Sequence, residues 1–319
     1  MEPLPKGANF VRGKTLWEIG LHIAGNPATP YGGNRDMVIT VGSGSGEQFR
    51  PWLRLATGSA ILAEEVAKGG VEAAFVNPSA LLTQAYRGVG LFREPLPLRI
   101  IASYPSWDRF VFAIHPRAGI RSLHDIKAKK YPLRVSVRED PTHSTLVLIE
   151  QAFALHGFKL TDIEAWGGRL ITCGGPSDVR RLDPMKRGEI DAVFDEGIKV
   201  WLNEALAAGL VPLELDAAEF DAMGKLGWRK VVLPKARFGG LAKDVATLDF
   251  SGWPIYCNAS LPEQVAYDIC AALAAREPEI PFEKGTDGNA TQMVTETDMT
   301  PMDVPLHPGS ERWLREQRK

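Results

Sequence analysis

The sequence predicts an α/β protein of two lobes, each a mostly parallel sheet flanked by helices, joined by a strand hinge. Three observations predict it. Strand-like and helix-like segments alternate from residue 37 to residue 210, the signature of βαβ units. The 319 residues are the length of about two domains. Finally, Lys68-Gly69-Gly70-Val71-Glu72-Ala73-Ala74-Phe75 returns as Arg187-Gly188-Glu189-Ile190-Asp191-Ala192-Val193-Phe194. The shared pattern is basic-Gly-x-(Val/Ile)-acid-Ala-x-Phe, at an offset of 119. On this reading residues 1–112 and 247–319 make a discontinuous lobe I, and residues 113–246 make lobe II.

Residues 1–13 read as a Pro- and Gly-rich arm, and 16–23 as a short helix. Residues 26–35 are loop punctuation. Met37 to Val41 is β-branched and reads as a strand entering Gly42-Ser43-Gly44-Ser45-Gly46. Residues 49–55 and 60–68 read as helices, 71–76 as a strand, and 80–86 as a helix. Strands at 98–103 and 110–114 flank Trp107-Asp108-Arg109. A basic helix at 123–129 precedes strand 133–137. The helix at 145–156 has apolar residues on a 3.6 period and Gly157 just past its end. Residues 163–166 read as a strand, 178–187 as a helix, 190–194 as a strand and 198–208 as a helix. Further strands are expected at 231–233 and 247–258, and a helix at 261–276. Residues 278–308 lack periodicity and are expected to wrap over a surface.

Composition narrows the function. Hydrophobic residues are 45% and charged residues 24%, as in globular domains. Thirty-seven basic against 39 acidic residues give a net charge of −2, which argues against a nucleic-acid partner. Cys173, Cys257 and Cys270 are far apart and show no metal spacing, and the six histidines form no metal motif, so neither metal nor cofactor is expected. No run of 18 apolar residues predicts a membrane span, and residues 1–14 show no apolar leader.

In doubly wound sheets ligands sit beyond the carboxyl ends of the strands. The polar residues expected there are the candidates. Ser43, Gly44 and Ser45 offer hydroxyls and backbone N–H groups to an anion, in a loop that is neither a P-loop nor a dinucleotide fingerprint. Asn77 and Ser79 follow one strand; Asp195 and Glu196 end another, where adjacent side chains diverge and so suit ligand binding better than paired acid–base catalysis. Arg138, Thr142, His143 and Ser144 lie where strand 133–137 gives way to a helix, with Asp140 or Thr142 as the expected cap. Trp107 lies near the hinge, and Arg109 could clamp a carboxylate.

Five segments, in order, resemble the TAXI-type solute receptors of TRAP transporters, within the type 2 periplasmic-binding-protein fold. They are 42–46, 69–77, 119–127 with the strand after it, 188–194, and Leu306-His307-Pro308-Gly309-Ser310-Glu311-Arg312. The resemblance implies one small carboxylate-type solute held by Ser43, Ser45, Asn77, Ser79, Thr142 and Ser144. It also implies a monomer without cofactor, export to the periplasm and delivery to a membrane permease. The absent leader keeps a cytoplasmic location open. The stretch between the first two strands is short for two helices and a middle strand, which leaves open which strand the Gly/Ser loop follows. The alternative is a cytoplasmic enzyme on the same fold, such as an aromatic-acid decarboxylase or a thiamine-pyrimidine synthase. The clustered Cys/His motif that the synthase would demand is absent.

Overall fold

The computed structural model describes residues 8–24, 38–42, 52–57, 60, 62–283 and 288–318. Helix α1 (Ala8–Ala24) is longer than the helix expected at 16–23. The first sheet follows. Its elements are β1 (Val38–Gly42), β2 (Trp52–Ala56), α2 (Leu62–Ala67), β3 (Ala73–Phe75), α3 (Ser79–Arg87) and β4 (Leu98–Tyr104). Residues 52–56 are thus a strand and not part of a helix. Leu55 and Ala56 pack into clusters on opposite faces of the sheet, the alternation of a strand.

The chain passes over residues 105–108 into the second sheet. There it forms β5 (Arg109–Ile114), α4 (Leu123–Lys129), β6 (Arg134–Arg138), α5 (Ser144–Ala154), α6 (Leu160–Ala165) and β7 (Arg169–Cys173). Then come α7 (Val179–Lys186), β8 (Ala192–Asp195), α8 (Ile198–Ala207), β9 (Val211–Pro212), α9 (Ala217–Lys225), β10 (Lys230–Leu233) and β11 (Val245–Asp249). The expected strand at 163–166 falls on α6 and its turn. Leu160 and Ile163 are buried at helical spacing, and Asp162 Oδ2 accepts from the Lys159 N–H at 2.9 Å. Helix α9, which the sequence reading did not foresee, starts at a capping box. Asp216 accepts from Glu219 N at 2.8 Å, and Glu219 accepts from Asp216 N at 2.6 Å.

The chain returns over 250–252 to β12 (Trp253–Asn258), α10 (Glu263–Ala275), α11 (Ala290–Met293) and α12 (Pro308–Gln317). β5 and β11 both belong to the second sheet, so residues 109–112 and 247–249 pair there.

The strand orders are β1-β2-β3-β12-β4 and β10-β11-β5-β8-β6-β7, with β9 paired to β5. The two sheets share a core. β2-β3-β12-β4 runs parallel, antiparallel, antiparallel, and so does β6-β8-β5-β11. The repeat read in the sequence is the β3 and β8 position of this shared core. β5 is buried along its whole length at the centre of the larger sheet. Phe110, Phe112, Phe153 and Phe194 pack there edge-on or stacked.

Candidate functional site

Both crossing segments stand at the carboxyl ends of the parallel strands. Arg109, the first residue of β5, faces Asp249, the last of β11. Val111 faces Asp195 at the end of β8, and Ile255 of β12 faces Phe75 at the end of β3. The loops after β3, β6 and β8 therefore gather around the hinge.

On the lobe II side the chain builds a buried charge cluster. Asp195 is fully buried, and its two oxygens accept from Arg138 Nε at 2.9 and 2.8 Å. Arg181, equally buried, ion-pairs with Asp195 at 2.5 Å and donates from Nε to Ser136 Oγ at 2.9 Å. Arg138 also pairs with Glu196. Asp108, from the crossing segment, accepts from the Gly197 N–H at 2.8 Å and from the Arg109 N–H at 2.8 Å. Burial, then the charges of Asp108 and Asp195, push the Glu196 carboxyl well above its ordinary value. Asp108 is raised too, by burial, although a hydrogen bond from Glu196 opposes the rise. Arg138 and Arg181 both face Asp195, and Arg138 faces Glu196 as well.

Arg109 is also held by groups of the protein. It is 2% exposed, and its Nη1 donates to Asp249 at 2.9 Å and to Ser251 Oγ at 2.7 Å. Its Nη2 donates to both oxygens of Asp298 at 2.8 Å. The Arg109 guanidinium, expected as a carboxylate clamp, pairs with carboxylates of the protein itself, and Arg138 and Asp195 pair with each other. Trp107 is buried, with the guanidinium of Arg237 at 3.9 Å and that of Arg109 at 4.6 Å from its ring centroid.

The remaining candidates divide by lobe. In lobe I, Ser79 opens α3 and its hydroxyl donates to the Ser251 carbonyl at 3.0 Å. Asn77 Oδ1 is buried and meets no hydrogen-bond donor among the described residues. In lobe II, Thr142 donates from its N–H and its hydroxyl to Asp140 Oδ1, both at 2.8 Å. The cap of α5 is His143, which accepts from Thr145 N at 3.3 Å, and not Asp140 or Thr142. Ser144 is the first residue of α5 and is buried. Ser43, Gly44 and Ser45 lie outside the described residues. The strand ends that flank them, Gly42 and Trp52, pair with each other at the amino end of β2, away from Asn77.

Sequence reasoning missed two things here. It did not see Asp108, Arg181, Asp249, Ser251 and Asp298 as partners of the arginines. It also did not see that β2 corresponds to β6. By the pairing register Leu55 and Ala56 are the counterparts of Val135 and Ser136, so Thr57 stands level with Val137, still inside β6. The sequence signal was the repeat itself, extended one strand upstream.

Among the described residues no helix is long and apolar enough to cross a membrane, and no cluster of His, Cys, Asp and Glu is placed for a metal ion. Residues 184–317 match the model of the NMT1-like family. That match covers less than half of the chain. No curated protein matches. Among solved structures, the chain is similar to the alkanesulfonate-binding protein of Xanthomonas axonopodis pv. citri, at 10% identity and a TM-score of 0.31, over 81% of this chain and 70% of that one. It is similar to the glycine betaine, L-proline-binding protein of Borrelia burgdorferi, at 13% identity and a TM-score of 0.38, over 67% and 66%. It is also similar to PhnD1 of Prochlorococcus marinus MIT 9301, solved with methylphosphonate, at 12% identity and a TM-score of 0.38, over 82% and 84%. At such scores the likenesses carry no argument about a ligand.

Proposed function

We propose that this chain is a receptor for a small organic solute, held between the carboxyl ends of its two sheets. One observation carries the reading: the two sheets share a core order, and both bring their parallel-strand ends to the same pair of crossing segments. Ligand sites favour that position in open sheets and at domain interfaces. The contacts are Asn77 and Ser79 from lobe I and Thr142, His143, Ser144 and Glu196 from lobe II. The solute is of carboxylate type. With Arg109 and Arg138 committed to internal acids, the carboxylate is held by hydroxyls and by the partial positive charge at the start of α5. The chain binds without transforming the solute, and in keeping with its resemblance to TAXI-type receptors it works in the periplasm and hands the solute to a TRAP-type permease.

Mass spectrometry of small molecules released on denaturing the freshly purified protein tests this. One carboxylate released in proportion to protein supports it. Release of a product generated from an added aromatic acid would instead indicate an enzyme.

A further inference from the structure

The lobes touch beyond the two crossing segments. Helix α3 of lobe I lies against α5 and against the turn after α9 in lobe II. Gln84 on α3 is fully buried, and its Nε2 donates to Gln151 Oε1 on α5 at 3.1 Å. Gln151 Nε2 donates back to Gln84 Oε1 at 3.1 Å. The indole N–H of Trp228 donates to the same Gln151 Oε1 at 2.6 Å. Each amide finds its partner on the other lobe, so the pairing fixes one register of α3 on α5.

A glycine on each side permits this approach. Gly90, at φ +64°, leaves room where a Cβ would lie 2.1 Å from Gln84 Oε1 and 2.8 Å from Gln151 Nε2. Gly227, at φ +97°, stands where a Cβ would lie 3.1 Å from Thr83 Cγ2 of the opposite lobe. Around the amides the apolar surface is continuous. Ala80 and Leu81 of α3 share one cluster with Ile149, Met223, Trp228 and Phe250.

We infer that this seam is a third, non-covalent connection that keeps the lobes in contact along one flank without ligand and makes them unfold as one cooperative unit. If the seam opened, water would solvate the amides, so the bonds set register while the buried apolar surface holds the lobes together. This goes beyond the receptor reading, because it concerns the empty protein. Any ligand-driven motion then pivots on the seam.

The test uses ligand-free protein, calorimetry and small-angle scattering. Wild type is expected to show one transition whose calorimetric and van't Hoff enthalpies agree. Gly227→Val forces a branched side chain at positive φ against Thr83. It is expected to split the transition in two and raise the radius of gyration, with far-UV circular dichroism retained. Gln84→Ala adds no bulk and covers the case in which the valine variant fails to fold. It is expected to lower the midpoint by several degrees and to speed exchange of the Gln151 side-chain amide protons, whose acceptor it removes. Two transitions in wild type would overturn the inference. So would a Gln84→Ala protein with an unchanged midpoint and unchanged exchange of the Gln151 amide. Neither readout needs a ligand, so such a failure would leave the receptor reading standing.

Discussion

Arg134 grips Asp191 with Nε at 2.7 Å and Nη2 at 2.8 Å, and Arg54 grips Glu72 in the same way, with Nε at 3.0 Å and Nη2 at 2.7 Å. The likeness extends to the backbone. Each arginine also donates to the carbonyl of the repeat's glycine, Gly188 at 3.1 Å and Gly69 at 2.8 Å. Each acid takes the backbone N–H of its arginine and returns its own N–H to that arginine's carbonyl. The acid of the repeat pattern therefore locks the amino end of a parallel strand pair in both lobes.

These clasps shape the acid limb of stability. Burial alone would raise the Asp191 carboxyl, but hydrogen bonds from Arg134 and Arg117 outweigh it and hold the group below its ordinary value of 3.8. Glu72 is held below 4.5 by Arg54 against a similar burial effect. A carboxyl with a depressed folded value contributes stability above its unfolded value, and this is lost as pH falls through the folded one. Urea unfolding of wild type should weaken below pH 3.8. Asp191→Asn should cost about 2–3 kcal/mol at neutral pH, as hydrogen bonds to a charged group do, and should flatten this limb. An unchanged limb in Asp191→Asn would remove Asp191 as its source.

Glu196 has the opposite sign. Its folded value is raised, so the folded protein binds more protons than the unfolded chain above 4.5. Stability falls as pH rises from there towards the folded value, then levels. Glu196→Gln keeps an acceptor for Arg138 and a donor for Asp108 without a titrating proton. Its stability should match wild type at pH 4.5 and exceed it as pH rises. Parallel pH profiles for the two proteins would contradict a raised Glu196 carboxyl.

Arg109→Ala should destabilise the fold and not only weaken binding. It leaves Asp249, whose side chain is 5% exposed, as a buried charge without its partner. That loss is worth about 3–5 kcal/mol in urea unfolding. Asp298, whose side chain is 62% exposed, should cost less than about 1 kcal/mol on replacement by Ala. Equal effects at the two positions would refute the assignment of Arg109 as the hinge's internal anchor.

The alternation of strands and helices and the repeat were legible because both are local patterns. Residues 52–56 were not, since five residues with apolar Trp52, Leu53 and Leu55 suit a helix or a strand. The sheet decides it, by offering β1 and β3 as partners. Helix α12 went unread because its cap is His307, whose ring accepts from Gly309 N at 3.2 Å. The site was legible as loops and not as roles. Arg109, Arg138 and Asp195 stand where the sequence reading put them. Their partners, Asp249, Asp298 and Arg181, come from distant segments, and no local pattern shows that pairing.

The most direct test of the receptor reading is a thermal-unfolding screen with monocarboxylates, dicarboxylates, aromatic acids and amino acids, on wild type, Asn77→Ala and Ser144→Ala. A solute at about 100 times its Kd adds about 2.7 kcal/mol to the folded state. At least one class should raise the wild-type midpoint. Both variants should shift less at equal concentration, by a loss of about 1 kcal/mol for each hydrogen bond removed. Midpoints that stay flat across every class, or shifts that are undiminished in both variants, would contradict a carboxylate held between the ends of β3 and β6.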